Sequence, residues 1–388
     1  VSAAGAGRAP ADSGTGPGPD LPGIGEIRST TPVGEGDGER IGRSREGRPL
    51  EAFRFGRGTL RVSLLGGCHA DEPVGPALLR CLAALLGDLP PDAPALEDVE
   101  WWILPHANPD GEAMNRAWQE PGAERYDLAG YLRGVRRESP GDDVEFGFPR
   151  GPDDGRCRPE NRAIQRWWRT AGGPFHVHAS LHGMTVGLGP WFLLEESWAD
   201  RTRRLRERCR LRARALGYRV HDEDRGGEKG FRRIGRGFST RPDSRAMRDH
   251  FLSRDDEETA SRFRPSSMEA IRALSGDVLT VVPEMPLFVV EGGRAPAGET
   301  APPVDEGRGT VRAGDGDRAR DHGPVGPDWK RGWQERLESW ATALRSGRMD
   351  AAAVRKEARE LRLRAMPVAD QMELQWTLIR AAMAAARP

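Results

Sequence analysis

Residues 60–86 read LRVSLLGGCHADEPVGPALLRCLAALL. The first six, Leu60 to Leu65, make a short apolar run compatible with a β-strand, and the run stops at Gly66-Gly67. From Pro76 to Leu86 the apolar residues return at helical spacing. A strand, a glycine turn and a helix in succession form the repeating unit of an α/β fold. The pattern recurs along the chain. EWWIL at 100–104 is closed by Pro105, and FHVHASL at 175–181 by His182-Gly183. WFLL at 191–194 follows, then a helical stretch from Trp198 to Leu216, then VLTVV at 278–282, which ends at Pro283-Glu284. Leu287–Val290 is expected to extend or pair with that last strand. Strands interleaved with helices predict an α/β fold with one mixed, mostly parallel sheet covered by helices on both faces.

The flanking regions read differently. Residues 1–38 are dominated by Gly, Pro and Ser, with too little apolar surface to repay ordering, and predict a disordered or extended lead-in to a main domain at 39–292. Residues 293–327, rich in Gly, Pro, Asp and Arg, read as a flexible linker or insertion. Beyond them, 329–346, 351–365 and 369–386 predict three amphipathic helices, divided at Gly347 and Pro367, that pack on the main domain or form a small appendage. There is no internal repeat.

Charge excludes some functions. Lysine plus arginine equals aspartate plus glutamate, 59 of each among 388 residues, so neither a nucleic acid nor a membrane surface is an expected partner. No apolar run approaches the roughly 18 residues of a spanning helix. Four cysteines without C-x-x-C spacing, and no apolar signal-peptide core in residues 1–24, set an expectation of reduced thiols in a cytoplasm; a start at Val1 is compatible with a trimmed N-terminus.

Residues able to do chemistry gather just past the predicted strand ends, where open α/β sheets bind their ligands. His69 and Glu72, three apart after the Gly-Gly break, can converge on one cation. The 176–182 stretch offers His176, His178 and His182; His182, at the strand end, is the candidate third ligand, His178 a supporting partner or an ordinary buried histidine, and His176 structural or exposed. Catalytic zinc takes three protein ligands and keeps a position open. Glu284 would then serve as the proton acceptor for an attacking water. Arg116, shortly after Asn108-Pro-Asp-Gly, is the candidate oxyanion partner, and Asn115 beside it is a candidate substrate-binding residue. Cys68 is expected to be a packing residue.

With these residues in place, the chain resembles the zinc carboxypeptidase family over roughly residues 41–290. IGRSREGRPL at 41–50, HADEPVG at 69–75, NPDG at 108–111, NRAW at 115–118, SLHG at 180–183 and VVPEMP at 281–286 resemble that family's successive motifs. The resemblance implies a mixed sheet of about eight strands between helices, one zinc ion held by His69, Glu72 and His182, Glu284 as catalytic base, Arg116 polarising the scissile carbonyl, and a peptide or amide substrate. Two departures stand out. Where the family carries an Asn-Arg pair that grips the substrate's terminal carboxylate, this chain has Glu145-Phe146 within DVEFGFP, 143–149. Glu145 is therefore expected either to pair with a substrate cation or to form a salt bridge with Arg116 or Arg150, and a plain peptide C-terminus is not the expected substrate. The family's active-site tyrosine is also missing, since no tyrosine follows Tyr218, leaving Arg233, Arg236 or Ser266-Ser267 as candidate replacements. An acylamino-acid amidohydrolase of the aspartoacylase or desuccinylase kind, and a binding module on the same fold, are the rival readings.

Overall fold

The computed structural model describes residues 20–151, 153–291 and 324–387. Among these, ten strands form one mixed sheet: β1 (Glu39–Arg43), β2 (Pro49–Phe55), β3 (Leu60–Gly66), β4 (Val99–Leu104), β5 (Val177–Gly187), β6 (Trp191–Leu194), β7 (Arg233–Gly235), β8 (Phe238–Thr240), β9 (Leu279–Val290) and β10 (Leu363–Ala365). They lie in the order β1-β2-β4-β3-β5-β9-β6-β8-β7, and β10 pairs with the last residues of β9. The central strands β4, β3, β5 and β9 run parallel, while β1, β2 and β6 join antiparallel. The expected class holds, with ten strands in place of about eight.

Period-two alternation explains the two covering layers. On β4, Trp101 and Ile103 face a core shared with helices Val74–Asp88 and Val368–Ala385, whereas Trp102 and Leu104 face a second core containing Trp167, Trp168 and Phe148. Fully burying one such large apolar side chain contributes about 1.5–3 kcal/mol. On β5, Val177, Ala179 and Leu181 join the first core, and His178, Ser180 and His182 point to the other face. A polar seam therefore runs through the middle of the sheet.

Three expectations are corrected. The strand expected to end before His182 continues to Gly187, because β9 offers a parallel partner from Val177↔Leu279 to Gly187↔Val289. Residues 351–365 are not one helix: the helix stops at Glu360, Arg362 turns left-handed at φ 55°, and Leu363–Ala365 becomes β10 against Phe288–Val290. Part of the lead-in is ordered, since Ile24–Ser29 is a helix with Ile27 buried. Residues 1–19 of the expected lead-in and 293–323 of the expected linker lie outside the described residues. The last helices pack on the main body. Val368–Ala385 lies against β9 and helix Arg203–Ala215, with Leu374, Leu378 and Ile379 fully buried. Cys68, Cys81, Cys157 and Cys209 are buried free thiols.

Candidate active site

Gly67 makes the turn that delivers His69. Its φ is +65°, and a Cβ there would sit 2.5 Å from the His106 ring, so the chain can leave β3 this sharply only with glycine. His69 and Glu72 then fall in the loop ahead of helix Val74–Asp88. His182 lies on β5, registered directly with Glu284 on β9, and Glu284 also pairs with Trp191 on β6. Partners in register share a sheet face. The two strands thus place a candidate ligand and a candidate base side by side.

The donor atoms converge. His69 Nδ1 lies 2.8 Å from Glu72 Oε1, and His182 Nδ1 lies 2.9 Å from Glu72 Oε2. The two Nδ1 atoms are 3.1 Å apart. Two rings with bare Nδ1 atoms in that pose would oppose their lone pairs, so a proton or a cation belongs between them. Two nitrogens bound tetrahedrally at about 2.0–2.1 Å would stand about 3.3 Å apart, close to what is found. The side chains of Glu72 and His182 are 5 % and 3 % exposed, so the donors sit in a shielded recess. Electrostatics point the same way. Burial penalises both imidazolium forms, but Glu72 outweighs it and raises His69 above its ordinary pKa; at His182, Glu72 and Glu145 raise the pKa much further. Burial also penalises ionised Glu72, yet the two facing histidines hold it well below the usual range. Without a metal, protons occupy this site. The chemistry of the donor set fits a zinc ion.

Behind His182 lies Glu145. With Nδ1 turned toward Glu72, the neutral ring carries its proton on Nε2, which is 2.8 Å from Ser180 Oγ and 3.2 Å from Glu145 Oε2. Ser180 and Ser267 hydroxyls donate to Glu145 at 3.1 and 3.0 Å, and the Ser267 N–H donates at 3.2 Å. His178 extends the seam, its ring nitrogens 3.0 Å from Ser63 Oγ and 3.3 Å from Ser267 Oγ; burial pushes its pKa down to about 3. Neither expectation for Glu145 holds, because its carboxylate is turned into the protein and its ring partner is His182. Arg150 donates instead to the Phe263 carbonyl. Phe146, expected at the substrate, packs edge-on against Phe263 at 5.4 Å and is buried. A carboxylate that fixes the proton and orientation of a ligating histidine typically affects metal affinity 10–100-fold. Glu145→Gln is accordingly expected to weaken zinc binding about 10- to 100-fold, measured by competition with a chromophoric chelator. An unchanged affinity would leave Glu145 only a packing role.

Arg116 does not reach the site. It is exposed at the end of helix Pro109–Asn115 and lines a separate groove with His106 and Glu112. Arg137 takes the place expected for it. Arg137 Nη2 donates to Glu72 Oε1 at 3.1 Å and Nε lies 3.5 Å from Asp71 Oδ1, and the side chain lines the pocket that holds His69 and Glu284. The physical reason is Asn115. It is fully buried, its Oδ1 accepts from the Arg136 N–H at 2.9 Å, and its Nδ2 donates to the Arg136 carbonyl at 2.8 Å. Asn108 is hydrogen-bonded to Glu138 on the other side of Arg137. Asn115, expected to bind substrate, thus clamps the segment that carries Arg137. An arginine so far along the chain from the expected one has no spacing signal of its own.

The pocket, about 300 Å³, is closed by residues remote in sequence, among them Trp191, Arg225, Phe231, Trp329, Lys330 and Trp333. None of the candidates to replace the missing tyrosine lines it. Arg233 pairs with Asp222 at 2.8 Å, Ser266 caps helix Ser267–Ser275, Ser267 serves Glu145, and Arg236 is exposed. Burial raises the half-buried Glu284 to about 7, with Glu72 adding to the shift.

Residues 38–227 match the zinc carboxypeptidase family. An inactive metallocarboxypeptidase of Talaromyces marneffei is 32 % identical over 97 residues, 21 % of this chain and 16 % of that protein. Zinc carboxypeptidase A 1 of Anopheles gambiae is 37 % identical over 87 residues, 20 % of each. The matches thus span a fifth or less of these curated relatives' lengths. Among solved structures, the carboxypeptidase A of Helicoverpa armigera aligns at TM-score 0.42 and 15 % identity, covering 90 % of this chain and 69 % of that one. The murein-tripeptide amidase of Escherichia coli O157 aligns at 0.34 and 17 %, covering 68 % and 86 %. His69, Glu72, Arg137 and His182 all fall inside residues 38–227, the segment that matches the zinc carboxypeptidase family.

Proposed function

We propose that this chain is a zinc-dependent amide hydrolase acting on a peptide or acyl-amide substrate. The convergence of His69, Glu72 and His182 beside a registered Glu284 carries the reading. His69 Nδ1, Glu72 and His182 Nδ1 would hold the ion. Zinc bound there supplies Lewis acidity, polarising the substrate carbonyl and acidifying water. Glu284 takes a proton as the water oxygen attacks the carbonyl carbon, and returns it to the amide nitrogen as the C–N bond breaks. Arg137 faces the oxygen on which negative charge grows. Glu145 and Ser180 keep the His182 ring in the tautomer that leaves Nδ1 free.

Removal and restoration of metal tests the reading. The purified chain should carry one zinc per molecule, hydrolyse members of a panel of peptides and acylamino acids, lose that activity to a chelator and regain it with zinc. A chain that binds zinc but hydrolyses nothing in the panel would be a binding module on this fold, a possibility the inactive Talaromyces relative makes concrete. Arginine substitutions discriminate within the mechanism. Arg137→Ala is expected to lower kcat about 10²–10³-fold, the range for loss of one oxyanion partner, while Arg116→Ala leaves kcat unchanged. The reverse ranking in steady-state kinetics would return the role to Arg116.

A further inference from the structure

On the hydrolase reading, the lining of the pocket also bears on which substrates it selects. The expected carboxylate-gripping arginine is absent, because Phe146 occupies that position and is buried against Phe263. Arg137, Arg225 and Lys330 nevertheless bring positive charge to the pocket wall. Arg137 is engaged by Glu72 and Asp71. Arg225 is immobilised, its guanidinium 4.1 Å from the Phe231 ring centre and 4.9 Å from that of Trp191, and its Nη2 bonded to Glu223 at 2.8 Å. Lys330 has no hydrogen bond or ion pair within the described residues.

Lys330 is held in place by its surroundings. Val325 bridges to Glu223, and its N–H bonds to the Asp222 carbonyl at 2.7 Å, which fixes the entry to helix Pro327–Arg345. Trp329, 5.3 Å from His221 between ring centres, and the buried Trp333 anchor the same helix turn on either side of the lysine. Burial, and then Arg225, lower Lys330 to about 8, and Glu223 and Glu284 act in the opposite direction. It therefore remains largely charged at neutral pH. The carboxylate nearest this pair of cations is Glu223, and it is already bonded to Arg225. A substrate cation would meet net repulsion there; an anionic group would find a rigid guanidinium and an unpaired ammonium between aromatic walls.

We propose that Lys330, supported by Arg225, forms a carboxylate-binding subsite built from the C-terminal helices, and that the substrate carries a carboxylate on the side of the scissile amide that reaches helix Pro327–Arg345. The carboxylate can be a chain terminus or an acidic side chain, and the test separates them. Binding of glutarate to the zinc-loaded chain is measured by calorimetry for wild type, Lys330→Gln, Lys330→Arg and Lys330→Glu. Glutarate should bind wild type and Lys330→Arg similarly, Lys330→Gln about tenfold more weakly, as for loss of a charge-assisted hydrogen bond, and Lys330→Glu more weakly still. Glutaramide should bind none of them appreciably. In hydrolysis, Lys330→Gln should raise KM for acidic substrates with kcat within about threefold, since no charge on Lys330 changes during the reaction. A loss seen with free-carboxylate peptides and absent from their C-terminal amides identifies the terminus; one that follows Glu against Gln identifies the side chain. Equal glutarate affinity in wild type and Lys330→Gln, or equal binding of glutaramide, overturns the proposal. The binding pattern without any hydrolysis would refute the hydrolase reading alone and support the subsite.

Discussion

Glu284→Gln is expected to lower kcat about 10²–10⁴-fold, the usual contribution of a positioned acid-base group, while the chain keeps its full complement of zinc. The amide matches the carboxylate in size and can still fill its place between His182 and Trp191 in the register of β9. What it cannot do is accept a proton. The predicted signature is therefore a separation of two measurements, turnover lost and metal content unchanged. The acid limb of the wild-type profile should agree with this. In the metal-free chain burial raises Glu284 to about 7, and a cation bound beside it draws that value lower. Because the ionised form is the competent one, kcat/KM should fall as pH drops through the pKa of the loaded enzyme. Activity of Glu284→Gln within about threefold of wild type would remove the carboxylate from the reaction.

The second large effect is on the metal itself. His69→Ala should reduce zinc from one ion per chain to a small fraction at micromolar concentration, and abolish turnover with it. His182→Ala should do the same. The pH dependence of zinc binding in the wild type carries independent information. Glu72 raises both histidines above the ordinary pKa, so their protonated forms compete with zinc for the ring nitrogens. Affinity should therefore weaken as pH falls through these pKa values, with up to two protons released per ion bound. Calorimetry in buffers of different ionisation enthalpy measures that number directly. Zinc retained by both alanine variants would place the metal elsewhere.

How much of this was readable in advance depended on the range of the interaction. The turn at Gly66-Gly67, the close pair His69 and Glu72, and the strands that carry His182 and Glu284 are local patterns, written in a few consecutive residues. Arg137 was not readable, because its position depends on Asn115 reaching the backbone of Arg136, 21 residues further along the chain. Glu145 was placed near the centre but on the wrong side of it. Linear order cannot say whether a carboxylate approaches an imidazole from its metal edge or its far edge; only the docking of helix Ser267–Ser275 on β5 settles that. Lys330 and β10 come from the C-terminal region, whose amphipathic pattern announces helices that must bury a face without announcing against what. The short β10 escaped because three residues of strand cannot be told from the end of the helix before them.

The Trp376 indole N–H bonded at 3.1 Å to the carbonyl of Pro22 joins the two extremities of the described chain, and β10 pairs with Phe288–Val290. During synthesis the amino-terminal portion must emerge long before its counterpart exists. The edge of β9 and the apolar flank later covered by Leu374, Leu378 and Ile379 would stay open to water until the final turns of helix Val368–Ala385 left the ribosome. A nascent polypeptide of this design holds its ligands and its proton acceptor well before it can close over them. Until the segment from Pro324 to Arg387 is in place, that apolar surface is the kind on which incompletely folded chains associate.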